Sequence, residues 1–335
     1  MNTAIIGAGL MCNRRAPVLI ESKETRLKVI ASKNFSDAKS MAVKFNCEAT
    51  EHWQDIVSRK DIDAIIVCTP PHVHAEISIA AMKSGKHVLC EKPLTKTISE
   101  AEEMVKIAKE NRVILKCGFN HRHHPAISEG KRLLDQGEIG KPLFSRCIYG
   151  ICGRPDYQTE WRADPNQAAG GQFIEQGSHA IDLFRWFLGE LKTVSCITSR
   201  LFFKEQPLDE SGMAIFEAQS GATASLHTTL TQWKNHFEFE VFGDEGYIKI
   251  EGLGSSYGVE KLTFGKRDFS GPFANTITEY RRGDISWKLE WIEFVEAIKN
   301  NHQPLGNGDD GLAAMKIALA AYESERIKKS ILINI

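Results

Sequence analysis

The sequence predicts an α/β protein of two domains: a doubly wound parallel sheet over residues 1–120, then a larger, predominantly antiparallel open sheet within residues 121–335. Strand-like apolar runs alternate with amphipathic helical stretches through the first part, which is typical of βαβ units. Beyond it, strand-like runs follow one another with few helices between them, as in an antiparallel sheet. A chain of 335 residues is also longer than one hydrophobic core usually serves.

The composition is that of an ordinary globular protein, with 42% hydrophobic and 25% charged residues. A formal net charge of −1 argues against a nucleic-acid partner, and no apolar run is long enough to span a bilayer. The first residues enter a strand without a basic region or cleavage signal, and the eight cysteines show no C-x-x-C spacing. We therefore expect reduced thiols, a cytoplasmic location and no membrane partner.

The first domain is predicted from five apolar runs and the helical stretches between them. The predicted strands are Thr3–Ile6, Leu27–Ala31, Ala64–Cys68, His87–Cys90 and Val113–Lys116. The predicted helices are Ser36–Phe45, Val73–Lys83 and Ser99–Glu110. The last of these begins with the capping-box pattern Ser99-Glu100-Ala101-Glu102.

A glycine-rich turn follows the first strand and reads Gly7-Ala8-Gly9-Leu10-Met11-Cys12. Two glycines of the pattern G-x-G-x-x-G are in place, and Cys12 stands at the third position. Glycines here allow a tight turn and let the backbone approach a pyrophosphate at a helix N-terminus. We predict a Rossmann-type dinucleotide site formed by Gly7, Gly9, Leu10 and Met11; the alternative is a glycine turn without a ligand.

The end of the second strand indicates which dinucleotide is bound. NAD sites usually carry a carboxylate there for the ribose 2′-hydroxyl, whereas this chain has Ser32 and Lys33. A hydroxyl and a cation suit a 2′-phosphate, and Arg14 and Arg15 could add further positive charge. The sequence therefore favours NADP over NAD, with an ordinary polar turn as the alternative.

Two further turns follow strands at the same predicted edge of the sheet. Cys68-Thr69-Pro70-Pro71-His72-Val73-His74 places Thr69, Pro70 and His74 near the cofactor. The two histidines lack a carboxylate or cysteine at ligand spacing, so we predict no metal site. Glu91-Lys92-Pro93 follows the fourth strand, where a partly desolvated lysine beside a cofactor can exchange a proton with a substrate hydroxyl. The alternative is a surface Glu-Lys pair.

The second half begins with a predicted helix, Pro125–Asp135, and a turn at 137–142. A second helix, Phe173–Leu188, stops at Gly189, and Trp287–Lys299 and Gly311–Lys328 close the chain as helices. The predicted strands are Leu143–Tyr149, Val194–Phe202, Met213–Ala218, Ala222–Thr229, Phe237–Phe242, Tyr247–Glu251 and Val259–Phe264.

Four polar or aromatic residues share one side of the helix Phe173–Leu188: Glu175, His179, Asp182 and Trp186. A histidine between two carboxylates can be held in one tautomer and can pass a proton. We predict that His179 and Glu175 are catalytic. The alternative is a satisfied histidine within a surface row of ion pairs.

Taken together, these motifs resemble the Gfo/Idh/MocA oxidoreductases over essentially the whole chain. The likeness continues through Gly118–Arg122, Gly170-Gly171, Gly177–Asp182, Gly308–Leu312 and Ala321–Ser324. The resemblance implies that Lys92 handles the proton, that Lys92-Pro93 is a cis peptide, and that Asn120 joins Glu91 and Lys92 in the cofactor site. Family members have Asp four residues before the histidine, where this chain has Glu175.

The resemblance implies an NAD(P)-dependent dehydrogenase or reductase that acts on a sugar, a sugar derivative, which includes nucleotide-linked sugars, or a cyclitol. Lys92 and His179 would share the proton of the reacting hydroxyl. Other classes remain open: an NAD-dependent glycosidase of the same fold, and a dinucleotide-sensing protein without turnover. We also expect a homodimer or homotetramer formed through the C-terminal sheet. The candidate substrate contacts are His179, Arg122, Tyr149, Arg154, Tyr157, Trp161 and Arg162.

Overall fold

A six-stranded parallel sheet forms the core of the first unit in the computed structural model, which describes residues 1–271 and 274–334. Its order is β3-β2-β1-β4-β5-β6, so the strand order reverses between β1 and β4. In such sheets, ligands bind at the carboxyl ends of the strands, where the order reverses. The strands are β1 (Asn2–Ile6), β2 (Arg26–Ala31), β3 (Glu48–Thr50), β4 (Ala64–Val67), β5 (His87–Cys90) and β6 (Leu115–Cys117).

Helices connect these strands, as the sequence predicted. They are α1 (Leu10–Glu21), α2 (Phe35–Phe45), α3 (Trp53–Ser58), α4 (His74–Lys83) and α5 (Ile98–Asn111). Sequence analysis did not delimit α1, which contains Pro17, and it missed α3 and the three-residue β3. Those elements are too short, or too irregular in apolar pattern, to give a periodic signal.

The capping box of α5 lies two residues before the predicted position. Thr97, not Ser99, is the N-cap: its side chain accepts from the backbone N–H of Glu100, and the Glu100 carboxylate accepts from the Thr97 N–H. Both Thr97 and Ser99 have an acidic residue three positions later, so spacing alone does not distinguish them. The prediction of Ser99 as the cap was wrong.

The second unit holds a nine-stranded sheet in the order β14-β13-β12-β11-β7-β10-β9-β8-β15. Its pairs are antiparallel except β7 with β10, which are parallel because a long connection returns the chain in the same direction. The strands are β7 (Pro142–Cys152), β8 (Leu191–Ser199), β9 (Ser211–Ala218), β10 (Thr223–Thr229), β11 (Thr231–Gly243), β12 (Gly246–Glu251), β13 (Glu260–Lys266), β14 (Asn275–Tyr280) and β15 (Ile331–Leu332).

Helices α6 (Pro125–Asp135) and α7 (Gln172–Leu188) pack on one face of this sheet. Side chains alternate along the strands, so Phe216 and Phe239 are buried beneath the helices while Met213 and Ile215 point to the other, open face. The predicted strands are all present with shifted ends, and β14 and β15 were missed.

The last helices are α8 (Ser286–Asn300) and α9 (Gly308–Ile327). The first unit comprises Met1–Phe119 and Trp287–Met315, and the second comprises Asn120–Ser286 and Lys316–Ile335. The sequence placed every residue after 120 in the second domain, whereas residues 287–315 pack with the first. The reason is that Trp291, Phe294 and Val295 of α8 complete the core around the parallel sheet.

Candidate active site

The glycine-rich turn has the geometry that a dinucleotide pyrophosphate needs. Gly7 has a φ of +107°, and a Cβ there would lie 2.6 Å from the carbonyl carbon and oxygen of Cys68. A Cβ on Gly9, the N-cap of α1, would meet no atom within 4 Å among the described residues. The N-cap residue Gly9 makes no side-chain hydrogen bond to the first N–H groups of α1, which suits a helix N-terminus that binds an anion. These residues fit a dinucleotide.

Cys12, at the third motif position, is buried in the core of the first unit. Burial raises the pKa of its thiol to about 12. This residue therefore packs the helix against the sheet as a small apolar side chain.

Ser32 and Lys33 follow β2 at the carboxyl edge of the sheet. The Ser32 N–H donates to the Thr50 carbonyl at 3.2 Å, and Lys33 is exposed, as is Arg14. Arg15 is different: it is 1% exposed and its guanidinium pairs with Glu91 and Glu290. The proposal that Arg15 could bind a 2′-phosphate was therefore wrong, because its charge is used inside the protein.

The turn after β4 contributes a buried hydroxyl. Thr69 Oγ1 has no hydrogen-bond partner within the described part of the chain. His74 is 1% exposed, and its ring nitrogens lie 2.7 Å from the Thr69 carbonyl oxygen and 3.0 Å from the Pro93 carbonyl oxygen. His74 therefore ties this turn to the segment after β5. Pro70 precedes a turn of 3₁₀ helix at Pro71–Val73.

The segment Glu91-Lys92-Pro93 directly follows β5. Glu91 is buried and bound by Arg15, Lys92 is partly buried, and the Lys92-Pro93 peptide is cis, as the resemblance implied. Glu290 of α8 also pairs with Arg15, and burial raises the pKa of this carboxyl above its ordinary range. The alternative of a surface Glu-Lys pair is therefore wrong for Glu91, whose side chain is buried.

In the second unit, the His179 ring stacks on His121. Their ring centroids lie 3.8 Å apart with 22° between the planes, and both side chains are buried. His121 Nε2 lies 3.0 Å from the Tyr149 hydroxyl and its Nδ1 lies 3.3 Å from Asn120 Oδ1. Burial raises the pKa of Tyr149 well above its ordinary value. The group can therefore orient an imidazole and relay a proton.

Asp182 has a different partner from the one that helix spacing suggested. Arg122 holds its carboxylate through two hydrogen bonds of 2.8 and 2.6 Å, and both side chains are buried. The Arg122 guanidinium also lies over the Trp186 ring at 5.3 Å. Arg122 was a candidate substrate contact; the structure instead gives it the role of fixing α7 to the segment at 120–123. Asn120 Nδ2 donates to Ser286 Oγ at 2.8 Å.

Glu175 lies one helical turn before His179 and is partly exposed. Arg162 Nε lies 3.4 Å from Glu175 Oε1, and Arg162 Nη1 lies at the same distance from Glu160 Oε2. Arg154 pairs with Glu160 at 2.7 Å. The loop at 154–163 therefore carries alternating charges that reach the carboxylate of α7, with Trp161 stacked under Arg162 at 4.4 Å.

The N-terminus of α7 is held by residues far away in the chain. Asp209 Oδ2 accepts from the Phe173 N–H at 2.8 Å, and the Tyr322 hydroxyl donates to Asp209 Oδ1 at 2.8 Å. Burial raises the pKa of Asp209 above its ordinary range. A Cβ on Gly171 would lie 2.4 Å from Asp209 Oδ1, which explains why the motif needs glycine there.

Sequence analysis missed three residues that contact His179, Tyr149 or the N-terminus of α7: His121, Tyr257 and Asp209. His121 lies inside the quoted motif Gly118–Arg122, so its position carried a usable signal. Tyr257 hydrogen-bonds Tyr149, and burial raises the Tyr257 pKa to about 12. Neither Tyr257 nor Asp209 has a local pattern that distinguishes it from any loop residue.

Across residues 1–271 and 274–334, no three His, Cys, Asp or Glu side chains gather as metal ligands would. No described helix combines the length and the apolarity that a membrane span requires.

The first 119 residues match the family model described as an oxidoreductase family with an NAD-binding Rossmann fold, and residues 127–249 match its C-terminal domain. This chain belongs to the Gfo/Idh/MocA oxidoreductases.

Two similar proteins are named as a sugar dehydrogenase and a nucleotide-sugar reductase. The chain is 31% identical to levoglucosan dehydrogenase of Pseudarthrobacter phenanthrenivorans over 66% of this chain and 64% of that enzyme. It is 30% identical to dTDP-3,4-didehydro-2,6-dideoxy-alpha-D-glucose 3-reductase of Saccharopolyspora spinosa over 73% of this chain and 72% of that one. A solved levoglucosan dehydrogenase in complex with NADH and levoglucosan superposes with a TM-score of 0.90 at 25% identity, over 100% of this chain and 99% of the other.

Proposed function

We propose that this protein is an NAD(P)-dependent dehydrogenase or reductase that interconverts a hydroxyl and a keto carbon of a sugar, a sugar derivative or a cyclitol. The observation that carries the proposal is the anchored segment Glu91-Lys92-Pro93 at the carboxyl end of β5, in the same sheet as the open glycine cradle. A lysine at that edge is positioned to exchange a proton with a substrate bound over the dinucleotide.

Gly7, Gly9, Leu10 and Met11 would hold the pyrophosphate, with Thr69, Pro70, Glu91 and Asn120 along the rest of the dinucleotide. The open cradle at Gly9 and the unpartnered Thr69 hydroxyl, among the residues described, support this assignment. When bound, the nicotinamide supplies hydride acceptance or donation. The protein supplies alignment and proton exchange.

Lys92 takes the proton of the substrate hydroxyl during oxidation and returns it during reduction. We propose a proton-handling role for His179 as well, and its stacking on His121 fixes the plane of its imidazole. Glu175 would take the place of the family aspartate. Its contact with Arg162 gives it a cationic partner at 3.4 Å.

The substrate would be recognised by polar side chains of the loop at 154–163. Arg154, Trp161 and Arg162 offer cations and an aromatic face, which suit a hydroxyl-rich ring with or without a phosphate. Tyr149 is buried against His121 and would act through that imidazole. The names of the relatives include both sugar enzymes and inositol dehydrogenases, which supports a substrate class that contains sugars and cyclitols.

NADP is the favoured cofactor in this proposal. The support is chemical: Ser32 and the exposed Lys33 follow β2 where an NAD site usually has a carboxylate. We also propose a cytoplasmic location, because no cysteine forms a disulfide in the described part of the chain and reduced cysteines persist in reducing compartments.

We also propose that the protein forms a homodimer or homotetramer through the open face of the nine-stranded sheet. Ile197, Met213 and Ile215 are 69%, 56% and 64% exposed on that face. A contiguous exposed apolar face is typical of a surface that is covered in the assembly.

The test of the activity is absorbance of the reduced nicotinamide with a panel of sugars, sugar phosphates, nucleotide sugars and inositols. Net reduction of added NADP or NAD by wild-type protein supports the proposal, and Lys92→Ala should lower kcat at least about 100-fold. Glycoside cleavage without net reduction would identify a glycosidase instead. Binding without turnover of any compound would identify a dinucleotide sensor. Full turnover by Lys92→Ala would overturn the role of the lysine.

A further inference from the structure

The residue before Lys92 is fixed by both its backbone and its side chain. The Glu91 N–H donates to the Val67 carbonyl at 3.0 Å, and Arg15 Nε donates to Glu91 Oε1 at 2.7 Å. The two side chains are 2% and 7% exposed, so this ion pair is shielded from water. A shielded, hydrogen-bonded ion pair is far less mobile than a surface pair.

Arg15 is itself held from a distant part of the chain. Its Nη1 donates to Glu290 of α8, and its guanidinium lies 4.6 Å from the centre of the Trp287 ring. On the other side, a Cβ on Gly118 would lie 2.9 Å from Glu91 Oε2 and 3.1 Å from Arg15 Nη2. Glycine at 118 therefore leaves room for the pair beside the end of β5.

The residue after Lys92 is also anchored. His74 Nδ1 lies 3.0 Å from the Pro93 carbonyl oxygen, while Nε2 lies 2.7 Å from the Thr69 carbonyl oxygen. The ring is buried, and both of its nitrogens face acceptors. His74 thus connects the turn after β4 with the turn after β5.

We propose that Arg15 and His74 are positioning residues for Lys92, which they serve by holding the residue on each side of it. This inference rests on the proposed role of Lys92 as the proton carrier. Arg15 has a second effect: it keeps the Glu91 carboxylate paired, so that this negative charge is not available to the neighbouring ammonium. His74 acts through the backbone, because its ring nitrogens lie at hydrogen-bond distance from the Thr69 and Pro93 carbonyl oxygens.

The charged groups around Arg15 determine in which direction the pKa of Lys92 should change when Arg15 is replaced. Glu91 and Glu290 face its guanidinium, the Cys68 thiol is the other titratable group close to it, and Lys116 acts on Glu290. Removing the guanidinium leaves the Glu91 carboxylate without this partner, next to residue 92. A nearby unpaired carboxylate stabilises an ammonium and raises its pKa.

The experiment compares Arg15→Met, Arg15→Lys and His74→Gln with wild type in the full-length protein. The pKa of Lys92 is measured directly from the pH dependence of its labelling by acetic anhydride, followed by mass spectrometry. This readout needs no substrate. kcat, KM and the affinity for NADPH are measured with the substrate that the panel identifies.

We expect Arg15→Met to raise the labelling pKa of Lys92 and to lower kcat about tenfold. Arg15→Lys restores a cation and should return the labelling pKa to the wild-type value. His74→Gln should lower kcat about tenfold with KM unchanged.

Glu293→Gln is the matched control. Glu293 lies one turn beyond Glu290 in α8 and pairs with the buried Lys116 at 2.9 Å, without a described contact to residues 91–93. It should lower the melting temperature and leave kcat and the labelling pKa of Lys92 unchanged. If Arg15→Met does not fold, the kcat and KM values of Arg15→Lys and His74→Gln test the positioning role instead.

Wild-type kcat and labelling pKa in Arg15→Met and His74→Gln would overturn the inference, while an inactive Lys92→Ala would leave the proposed function standing. A fall in kcat matched by an equal fall in NADPH affinity, with no change in the labelling pKa, would also overturn it. A fully active Lys92→Ala would instead overturn the proposed role of Lys92 on which this inference rests, and would leave the oxidoreductase activity standing.

Discussion

Residue 32 shows how a single side chain bears on cofactor choice. Ser32 follows β2 at the carboxyl edge of the parallel sheet, and Lys33 beside it is exposed. A carboxylate at this point would accept hydrogen bonds from a ribose hydroxyl and repel a 2′-phosphate. A serine and a lysine have the opposite preference.

We expect wild-type protein to bind NADPH more tightly than NADH, and Ser32→Asp or Lys33→Ala to abolish that preference. The physical reason is the loss of one cation or the gain of one anion at the 2′-phosphate, worth about 1–2 kcal/mol, or roughly 5- to 30-fold in affinity. Fluorescence titration with each dinucleotide measures it. Arg14→Ala tests the exposed cation of α1 in parallel. Equal affinities of wild type for NADPH and NADH would contradict the prediction.

At the same scale, the sequence identified charged residues better than their partners. It singled out Lys92, His179 and Glu175 from short motifs, but it placed Arg15 at the cofactor and Asp182 beside His179. Arg15 instead binds Glu290, which is 275 positions away in the chain, and Asp182 binds Arg122, 60 positions away. Spacing within a motif contains no information about such pairs.

At the scale of elements, helix α7 carries Glu175 and His179 and is fixed at both ends of its polar face. Arg122 holds Asp182, and Asp209 with Tyr322 holds the N-terminus. The Tyr322 hydroxyl also accepts from the Gly171 N–H at 3.1 Å. Loss of one buried hydrogen bond of this kind costs about 1–3 kcal/mol.

Tyr322→Phe should therefore lower the free energy of unfolding by about 1–3 kcal/mol and also lower kcat. Burial raises the folded-state pKa of Asp209, so the folded protein binds that proton more tightly than the unfolded chain does. Its contribution to stability consequently falls as pH rises from the ordinary aspartate range through the folded pKa. Without the tyrosine donor the ionised carboxylate is less well stabilised.

The difference in free energy of unfolding between wild type and Tyr322→Phe should therefore increase as pH rises from the ordinary aspartate range through the folded-state pKa of Asp209. Urea unfolding at several pH values measures it. Tyr247→Phe serves as a control, because the Tyr247 hydroxyl binds Asn275 on an exposed edge of the sheet. An unfolding free energy of Tyr322→Phe equal to wild type at every pH would refute the capping role.

At the scale of the whole molecule, the nine-stranded sheet buries one face under α6 and α7 and leaves the other open. Apolar residues of β8 and β9 on the open face are more than half exposed. Burying them would gain about 25 cal/mol for each Å² of apolar area removed from water. Assembly through this face is the proposed outcome.

We expect wild-type protein to have the mass of a dimer or tetramer by light scattering, and Ile215→Lys to shift it to the mass of one chain. A charged side chain at the centre of an apolar interface costs several kcal/mol when it is buried without a partner. Val43→Lys, on an exposed position of α2, should leave the assembly intact. A monomeric wild-type protein at about 50 μM, where interfaces of Kd below 1 μM are occupied, would contradict the proposal.

The sequence by itself determined the parallel sheet, the succession of strands in the second half and the family, because apolar periodicity and short motifs are local properties. It also predicted a role for Lys92, since the lysine lies at the end of a strand with a recognisable motif. Tertiary structure alone decided that α8 completes the core of the first unit and that Thr97 caps α5. It also decided that Arg15, Asp182 and Asp209 find partners in remote segments. These contacts join buried charges and apolar side chains that are distant in the sequence. No local sequence pattern predicts them, because they form only when the chain folds.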